Sequence, residues 1–472
     1  MGESQVGSRV PIISPVMRSS RGGWLALPLV VMAIMATGST FTPARSAAPP
    51  NILFILTDDQ TVEEFNPNTM PYLRSEPGGK WVKFTNAIVN TPLCCPSRAT
   101  ILSGQYAHHH GVVNNHKGRQ LKDSATVATW LNSAGYRTSL IGKYLNGYPF
   151  RNVPANYIPP GWDEWNAFVK EPGYYDYTLN ENGTLVTYGA TSADYSTDVL
   201  KRRALQFLGG SAEPFFLYFA PYAAHDPYTP APEYASAFSD LQMHRSPSFN
   251  EADVSDKPEW IRSRSLLTAR KQQNQDRDRR SQYRALLSVD DAIEEFFSAL
   301  NSRGILDNTV VVFMSDNGHL LGEHRVRTKV SEYEESQAVP LWVRVGSAVA
   351  KVEPSLVSNV DLASTLTELA GVTPTIPQDG RSLVPLLNGS ASGWRYGVLL
   401  EWFGETAASK ASLAPPYWGV RTRTHKYVEL STGEKELYHL AVDPYELQNV
   451  AGDPAYAQIQ ADLAAELAIL KQ

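Results

Sequence analysis

Cys94 and Cys95 are the only cysteines in the 472-residue chain, and they are adjacent. Adjacent cysteines supply no disulfide framework, so chemistry or packing must account for them. In the run Cys94-Cys95-Pro96-Ser97-Arg98, Pro96 suits the first turn of a helix. Cys94 then stands at the helix N-terminus, where unpaired N–H groups and the helix dipole favour an anion. Arg98, four residues on, reaches the same spot. A nucleophile, a helix end and a guanidinium thus face one anionic group. The plainer alternative for Cys94 is an inert buried side chain.

Two acidic pairs form a second constellation. Asp58 and Asp59 directly follow the apolar run Asn51–Thr57, and Asp316 and Asn317 directly follow Thr309–Ser315. At the carboxyl ends of strands in an open α/β sheet, such pairs can converge on one hard cation. Carboxylates with an amide carbonyl, and no His or Cys cluster, favour calcium or magnesium over zinc. Asp-Asp after a strand is also a common turn signal.

These residues need a scaffold. Continuous apolar runs at Asn51–Thr57, Thr138–Gly142, Pro214–Ala220, Thr309–Ser315 and Pro340–Val345 suit strands buried on both faces of a parallel sheet. Helical patterns lie between them, at Ser124–Ser133, Asp194–Leu208, Tyr283–Leu300 and Val360–Leu369. The alternation predicts an α/β fold with a large, mostly parallel sheet flanked by helices. The polar stretch 240–282 interrupts this rhythm, and its arginines are read either as a solvated helix face or as anion recognition. Beyond about residue 390, short strand patterns and a closing helix over Ala455–Leu470 predict a small antiparallel sheet with one helix. The expected divisions are 1–48, 49–390 and 391–472.

With these elements in place, the chain resembles the sulfatases of the alkaline-phosphatase-like superfamily. The C-x-P-S-R run at Cys94–Arg98 is similar to that family's modification signal. Asn51–Gln60 (NILFILTDDQ) and Ser315–Gly318 (SDNG) resemble its metal-ligand segments. Gly142-Lys143 resembles its G-K motif, and Ala223–Pro227 (AAHDP) its active-site histidine segment. Lys329–Glu334 matches K-x-x-x-Y-E, and Leu437–Asn449 is also similar. The likeness spans essentially the whole chain after residue 48. TPLCCPSR, HHHGVVNN, GKYLN and GYYDY bring it nearest to glucosamine-6-sulfatases and extracellular heparan sulfatases.

The resemblance implies an alkaline-phosphatase-like fold and a calcium-dependent hydrolase of sulfate esters, with magnesium as the other hard cation that fits. It implies that Cys94 is converted to formylglycine by a formylglycine-generating enzyme. Asp58, Asp59, Asp316, Asn317 and the modified Cys94 become the metal site. A formylglycine hydroxyl attacks sulfur, with Asp316 as base. Arg98, Lys143 and Lys329 neutralise the sulfate oxygens, and His225 with Lys329 protonates the leaving alcohol. The sequence departs from the family at Leu145 and Asn146, where many relatives carry a histidine shortly after the G-K lysine. Asn146 can hydrogen-bond the formylglycine diol but cannot accept a proton at neutral pH. His319 and His324 are further candidates. Tyr174, Tyr175, Tyr177 and the basic stretch Arg262–Arg284 are candidates for contact with a sulfated sugar. Two other readings are a phosphoester or phosphonate ester hydrolase of the same superfamily and a sulfated-glycan binding protein on a disabled scaffold.

Composition limits the alternatives. A net charge of −6 and a pI near 6.0 argue against nucleic acid as partner. Arg18 and Arg21, the apolar run Trp24–Ala36 and the small residues up to Ala48 read as a secretory signal peptide. That run is too short for a stable membrane span. The expected destination is therefore extracytoplasmic, with a sulfated small molecule or oligosaccharide as substrate.

Overall fold

The computed structural model describes residues 48–210, 212–404 and 414–472, and Ala48–Gln472 forms one compact unit. The predicted signal peptide, apart from Ala48, lies outside the described residues. Ten strands make the main sheet. In chain order they are β1 (Asn51–Thr57), β2 (Trp81–Ile88), β3 (Arg137–Gly142), β4 (Glu164–Phe168), β5 (Thr178–Glu181), β6 (Thr184–Thr187), β7 (Phe215–Ala220), β8 (Thr309–Ser315), β11 (Leu341–Arg344) and β12 (Lys351–Ser358). The short hairpin of β9 (Leu320–Leu321) and β10 (Arg327–Thr328) follows β8. The spatial order is β12-β2-β11-β8-β1-β7-β3-β4-β5-β6.

The centre, β8-β1-β7-β3-β4, is parallel throughout. Every residue of β1 is buried, as a continuous apolar run requires when both faces are covered. Its side chains alternate between two cores. Ile52, Phe54 and Leu56 join the helices Cys94–Ser103, Val127–Ser133 and Asp361–Ala370, whereas Leu53 and Ile55 join Ser196–Gly210 and Ala269–Ser302. Each fully buried Ile, Leu or Phe contributes about 1.5–3 kcal/mol. This three-layer arrangement is the predicted α/β fold.

Three expectations need correction. The run at Pro340–Val345 forms β11, but it is antiparallel to both neighbours, β8 and β2. Two-sided burial, not strand direction, is what an apolar run reports. The helix expected over Tyr283–Leu300 extends back to Ala269, so the polar interruption ends in helix. Its first turns are polar because most of their residues are exposed. Strands β2, β4, β5, β6 and β12 escaped notice because they carry polar residues within a short apolar pattern.

The C-terminal strands β13 (Gly397–Trp402), β14 (Tyr417–Thr422), β15 (Lys426–Leu430) and β16 (Lys435–Tyr438) form the predicted antiparallel sheet. Helix Ala457–Leu470 packs Leu463 and Leu467 against Leu399, Val420, Tyr427 and Leu437. The expected boundary at 390/391 falls in the connection before β13. Among the described residues, no helix is long and apolar enough to cross a membrane.

Candidate active site

Parallel register brings the acidic pairs together. Thr57 is aligned with Ser315, so the turns after β1 and β8 leave the sheet side by side. The Asp316 N–H donates to Thr57 O at 3.0 Å, and the Asp59 N–H donates to Asp316 Oδ1 at 3.2 Å. On the other side of β1, the Asp58 and Ala224 amides exchange hydrogen bonds of 3.0 and 2.9 Å with Ala223 O and Asp58 O. That exchange fixes the loop carrying His225. One strand further, the Lys143 N–H donates to Ala220 O at 2.7 Å. Gly142 must precede it without a side chain, because a Cβ there would stand 1.9 Å from Ala220 O and its φ is +119°.

The helix Cys94–Ser103 begins at Cys94 and is buried along its whole length. Burial of a helix carrying Arg98 is tolerated only because each end of the guanidinium is engaged. Nε donates to Asp316 Oδ2 at 2.8 Å, Nη1 donates to Lys143 O at 2.9 Å, and Nη2 lies 3.3 Å from Asp58 Oδ2. Lys143 Nζ pairs with the same Asp58 oxygen. Lys329, after β10, donates from Nζ to both Asp59 oxygens at 2.8 Å and lies 3.0 Å from Cys94 Sγ. Cys94 Sγ is in turn 3.5 Å from Asp58 Oδ1.

Charge balance follows from these contacts. Burial raises the Asp58 carboxyl, but Lys143, His225 and Arg98 outweigh it and hold the group below the usual carboxylate range. Asp59 is likewise raised by burial and then drawn far down, chiefly by Lys329. Asp316 is pushed up to about 6 by burial and by Asp58, against the pull of Arg98. Burial and the Asp58 carboxylate push the Cys94 thiol far up, so the unmodified side chain is a poor nucleophile.

His225 Nδ1–H donates to Asp226 O at 2.8 Å in the neutral ring, leaving Nε2 3.6 Å from Asp59 Oδ2. Burial and Lys329 lower its pKa. Asn317 Nδ2 donates to Asp59 Oδ1 at 2.6 Å, whereas its Oδ1 is buried without a hydrogen-bond partner. An orphaned amide oxygen beside three buried carboxylates fits a hard cation held through oxygen, so the residues present suit calcium or magnesium.

The structure thus gathers Asp58, Asp59, Cys94, Arg98, Lys143, His225, Asp316, Asn317 and Lys329 at the carboxyl ends of the central strands. Asn146 is half-buried on the Cys95 side, where its carbonyl faces Gly118, and its side-chain Oδ1 has no hydrogen-bond partner. His319 is buried close enough to Asp59 and Lys329 to feel both, and its position two residues after Asn317 was the available signal. His324 belongs to a separate cluster.

The sugar-contact expectations change. Tyr174 and Tyr177 are 2% and 3% exposed, and Tyr174 Oη donates to His225 O at 2.8 Å. Tyr174 braces the histidine loop and Tyr177 Oη donates to Asp194 O at 2.9 Å, so both are enclosed with no face to offer a sugar. Arg262 is engaged by Glu259 and the Lys257 carbonyl, and Arg279 is buried against Glu323. Arg280 and Arg284 donate to Leu241 O and Ala237 O. Arg279, Arg280 and Arg284 fasten loops to helix Ala269–Ser302, whereas Arg262 holds its own short helix Glu259–Arg262, which their periodicity alone did not reveal.

Comparison with known proteins gives a consistent picture. The family model described as Sulfatase matches residues 50–372, and that described as N-sulphoglucosamine sulphohydrolase, C-terminal, matches 322–472. N-acetylglucosamine-6-sulfatase of Capra hircus is 34% identical over 454 residues, covering 86% of this chain and 81% of that one. A solved structure in complex with its substrate D-glucosamine-2-N,6-O-disulfate superposes with a TM-score of 0.78 at 25% identity, over 89% of this chain and 97% of that one. The phosphonate monoester hydrolase of Agrobacterium radiobacter, at 22% identity and a TM-score of 0.73 over 89% of this chain and 95% of that one, shares the fold.

Proposed function

The chain belongs to the sulfatase family, and on that premise we propose that it hydrolyses a sulfate ester at residue 94 after conversion of Cys94 to formylglycine. The observation that carries this reading is the closure of Arg98, Lys143 and Lys329 around Cys94 beside an oxygen-only donor set. Three cations in a buried site suit an ester whose sulfate oxygens carry negative charge, and they act in a low dielectric where preorganised charge is most effective. A thiol pushed far up by burial gains little as a nucleophile. The hydrated aldehyde instead offers one hydroxyl to attack sulfur and a second whose deprotonation releases sulfate.

Asp58, Asp59, Asp316 and Asn317 would hold calcium, or magnesium, with residue 94. The cation would supply Lewis-acid polarisation of a sulfate oxygen and of the attacking hydroxyl. Asp316 accepts the proton of that hydroxyl. Lys143 and Arg98 fix Asp58 and Asp316, while Lys329 reaches from Asp59 to the sulfate. His225, oriented through Asp226 O, takes up a proton at Nε2 and, as the imidazolium, passes it with Lys329 to the leaving oxygen; its lowered pKa makes that imidazolium a strong acid.

The proposed substrate class is a 6-O-sulfated amino sugar, by likeness to the glucosamine sulfatases, with export directed by residues 1–48. The test is mass spectrometry across the Cys94 peptide together with rates on matched aryl sulfate, aryl phosphate and glucosamine-6-sulfate. Aldehyde or hydrate at residue 94 and preference for sulfate are expected. An unmodified thiol in active enzyme, or a phosphate preference, would overturn the reading.

A further inference from the structure

Away from Cys94, a second set of ionisable groups meets where the turn after β9, the short helix Glu334–Gln337 and the C-terminal segment around Glu446 come together. His324 is fully buried and stacked on Tyr333, with ring centroids 3.8 Å apart. Its Nδ1 is 2.7 Å from Glu251 Oε2, so the neutral ring carries its hydrogen there and donates it to that carboxylate. Nε2 is left with a lone pair. It faces Glu335 Oε2 at 3.9 Å, and together with a carboxylate oxygen of Glu446 the three atoms lie within 4.8 Å of one another. Both His324 Nε2 and Glu335 Oε2 are buried without a hydrogen-bond partner. At 3.9 Å the two atoms are too far apart to hydrogen-bond, so both are left unsatisfied, which buried polar groups normally avoid.

We propose that His324 Nε2, Glu335 and Glu446 form a second cation site, for a divalent ion of the zinc class, separate from the oxygen-only site at Cys94. The donor types distinguish the two. An imidazole nitrogen with two carboxylates suits zinc, whereas carboxylates and an amide oxygen suit calcium. The Glu251 carboxylate behind Nδ1 is the partner that a metal-binding histidine usually has, fixing the tautomer and raising ligand basicity.

The surroundings are compatible. Ser248 Oγ donates to Glu335 Oε1 at 2.6 Å, and the Glu334 N–H donates to Glu446 Oε2 at 2.7 Å, which orients both carboxylates. Lys426 Nζ is 2.6 Å from Glu446 Oε1 and 2.9 Å from Glu334 Oε1. Lys426 is shared between Glu334 and Glu446, and a carboxylate oxygen has two lone pairs, so an ion at Glu446 would compete with part of this pairing. A cavity of about 310 Å³ borders the Glu335 side of the cluster. Tetrahedral zinc donors stand about 3.3 Å apart, so the side chains must close by roughly 1 Å. Glu335, at 20% side-chain exposure, has the freedom to move. Because Lys329 lies between His324 and Glu335 in the chain, an ion here would brace the segment that carries it.

The test uses full-length enzyme with its Cys94 site saturated with calcium, dialysed against Co2+ and then Zn2+, with absorption spectra and anomalous diffraction as readouts. One Co2+ beyond calcium is expected, with an anomalous peak beside His324 Nε2, displacement by Zn2+ and a raised Tm. Affinity should fall at least tenfold in Glu335→Gln, a near-isosteric change, and in His324→Ala. The proposal is overturned if wild-type enzyme retains no Co2+, if the only peak lies at Asp58–Asp316, or if Glu335→Gln binds as tightly as wild type.

Discussion

Lys329 Nζ lies 2.8 Å from both carboxylate oxygens of Asp59, an ion pair that is only 17% exposed on the lysine side and 4% on the aspartate side. The same ammonium is 3.0 Å from Cys94 Sγ. One cation thus shares a proposed metal ligand and the proposed nucleophile. Lys329→Met should lower kcat about 10²–10³-fold, the effect of losing one preorganised charge donor. Calcium should bind more tightly, because Asp59 loses its competitor. Steady-state kinetics with calcium titration tests both; unchanged kcat would remove Lys329 from the chemistry.

Cys94 and Cys95 are both fully buried, yet they face different surroundings. Cys94 meets Asp58 and Lys329, whereas Cys95 donates its N–H to Asn115 Oδ1 at 3.0 Å and packs in the apolar core. Cys94→Ala should abolish turnover with the fold retained. Cys95→Ser should keep kcat within a few-fold and lower Tm, since a hydroxyl replaces an apolar sulfur. Equal loss of activity from the two changes, measured on an aryl sulfate, would contradict the assignment.

Three carboxylates and an orphaned amide oxygen in one buried site should couple cation binding to stability. Calcium at 100 times its dissociation constant should stabilise the fold by about 2.7 kcal/mol. A chelator should therefore lower Tm and remove activity, and calcium or magnesium should restore both. Asn317→Ala should weaken that response. Identical thermal unfolding with and without chelator would argue against the site.

His110 supplies a pH test away from that centre. The Val112 N–H donates to its Nδ1 at 3.0 Å, so Nε2 carries the hydrogen toward Thr100 Oγ1 at 3.1 Å. Burial, aided by His108, lowers its pKa from the ordinary histidine value of about 6.5 to about 3. The unfolded chain therefore binds the proton first. Stability present above about pH 6.5 is lost as pH falls toward 3, by about 2 kcal/mol at pH 5. His110→Asn, which keeps an acceptor for Val112, should flatten this limb in urea unfolding at pH 7 and pH 5. Parallel acid limbs for wild type and variant would refute the assignment.

The sequence alone determined the local chemistry. Pro96 in a first turn dictates where a helix starts, and continuous apolar runs such as β1 and β8 dictate two-sided burial, with polar turns at their ends. These are short-range constraints, written in consecutive residues. Which turns become neighbours was decided only in three dimensions, by the pairing of Thr57 with Ser315 and of Gly142 with Ala220. Burial likewise is a property of packing. Tyr174 reads as an aromatic free to meet a sugar, yet its ring is enclosed and its hydroxyl holds the His225 loop. His324 follows Asn317 by seven residues, but the left-handed backbone at His324, φ 48°, accompanies a turn toward Glu251 and Tyr333, away from Cys94. Such outcomes depend on contacts between distant segments, whose energies no local pattern encodes.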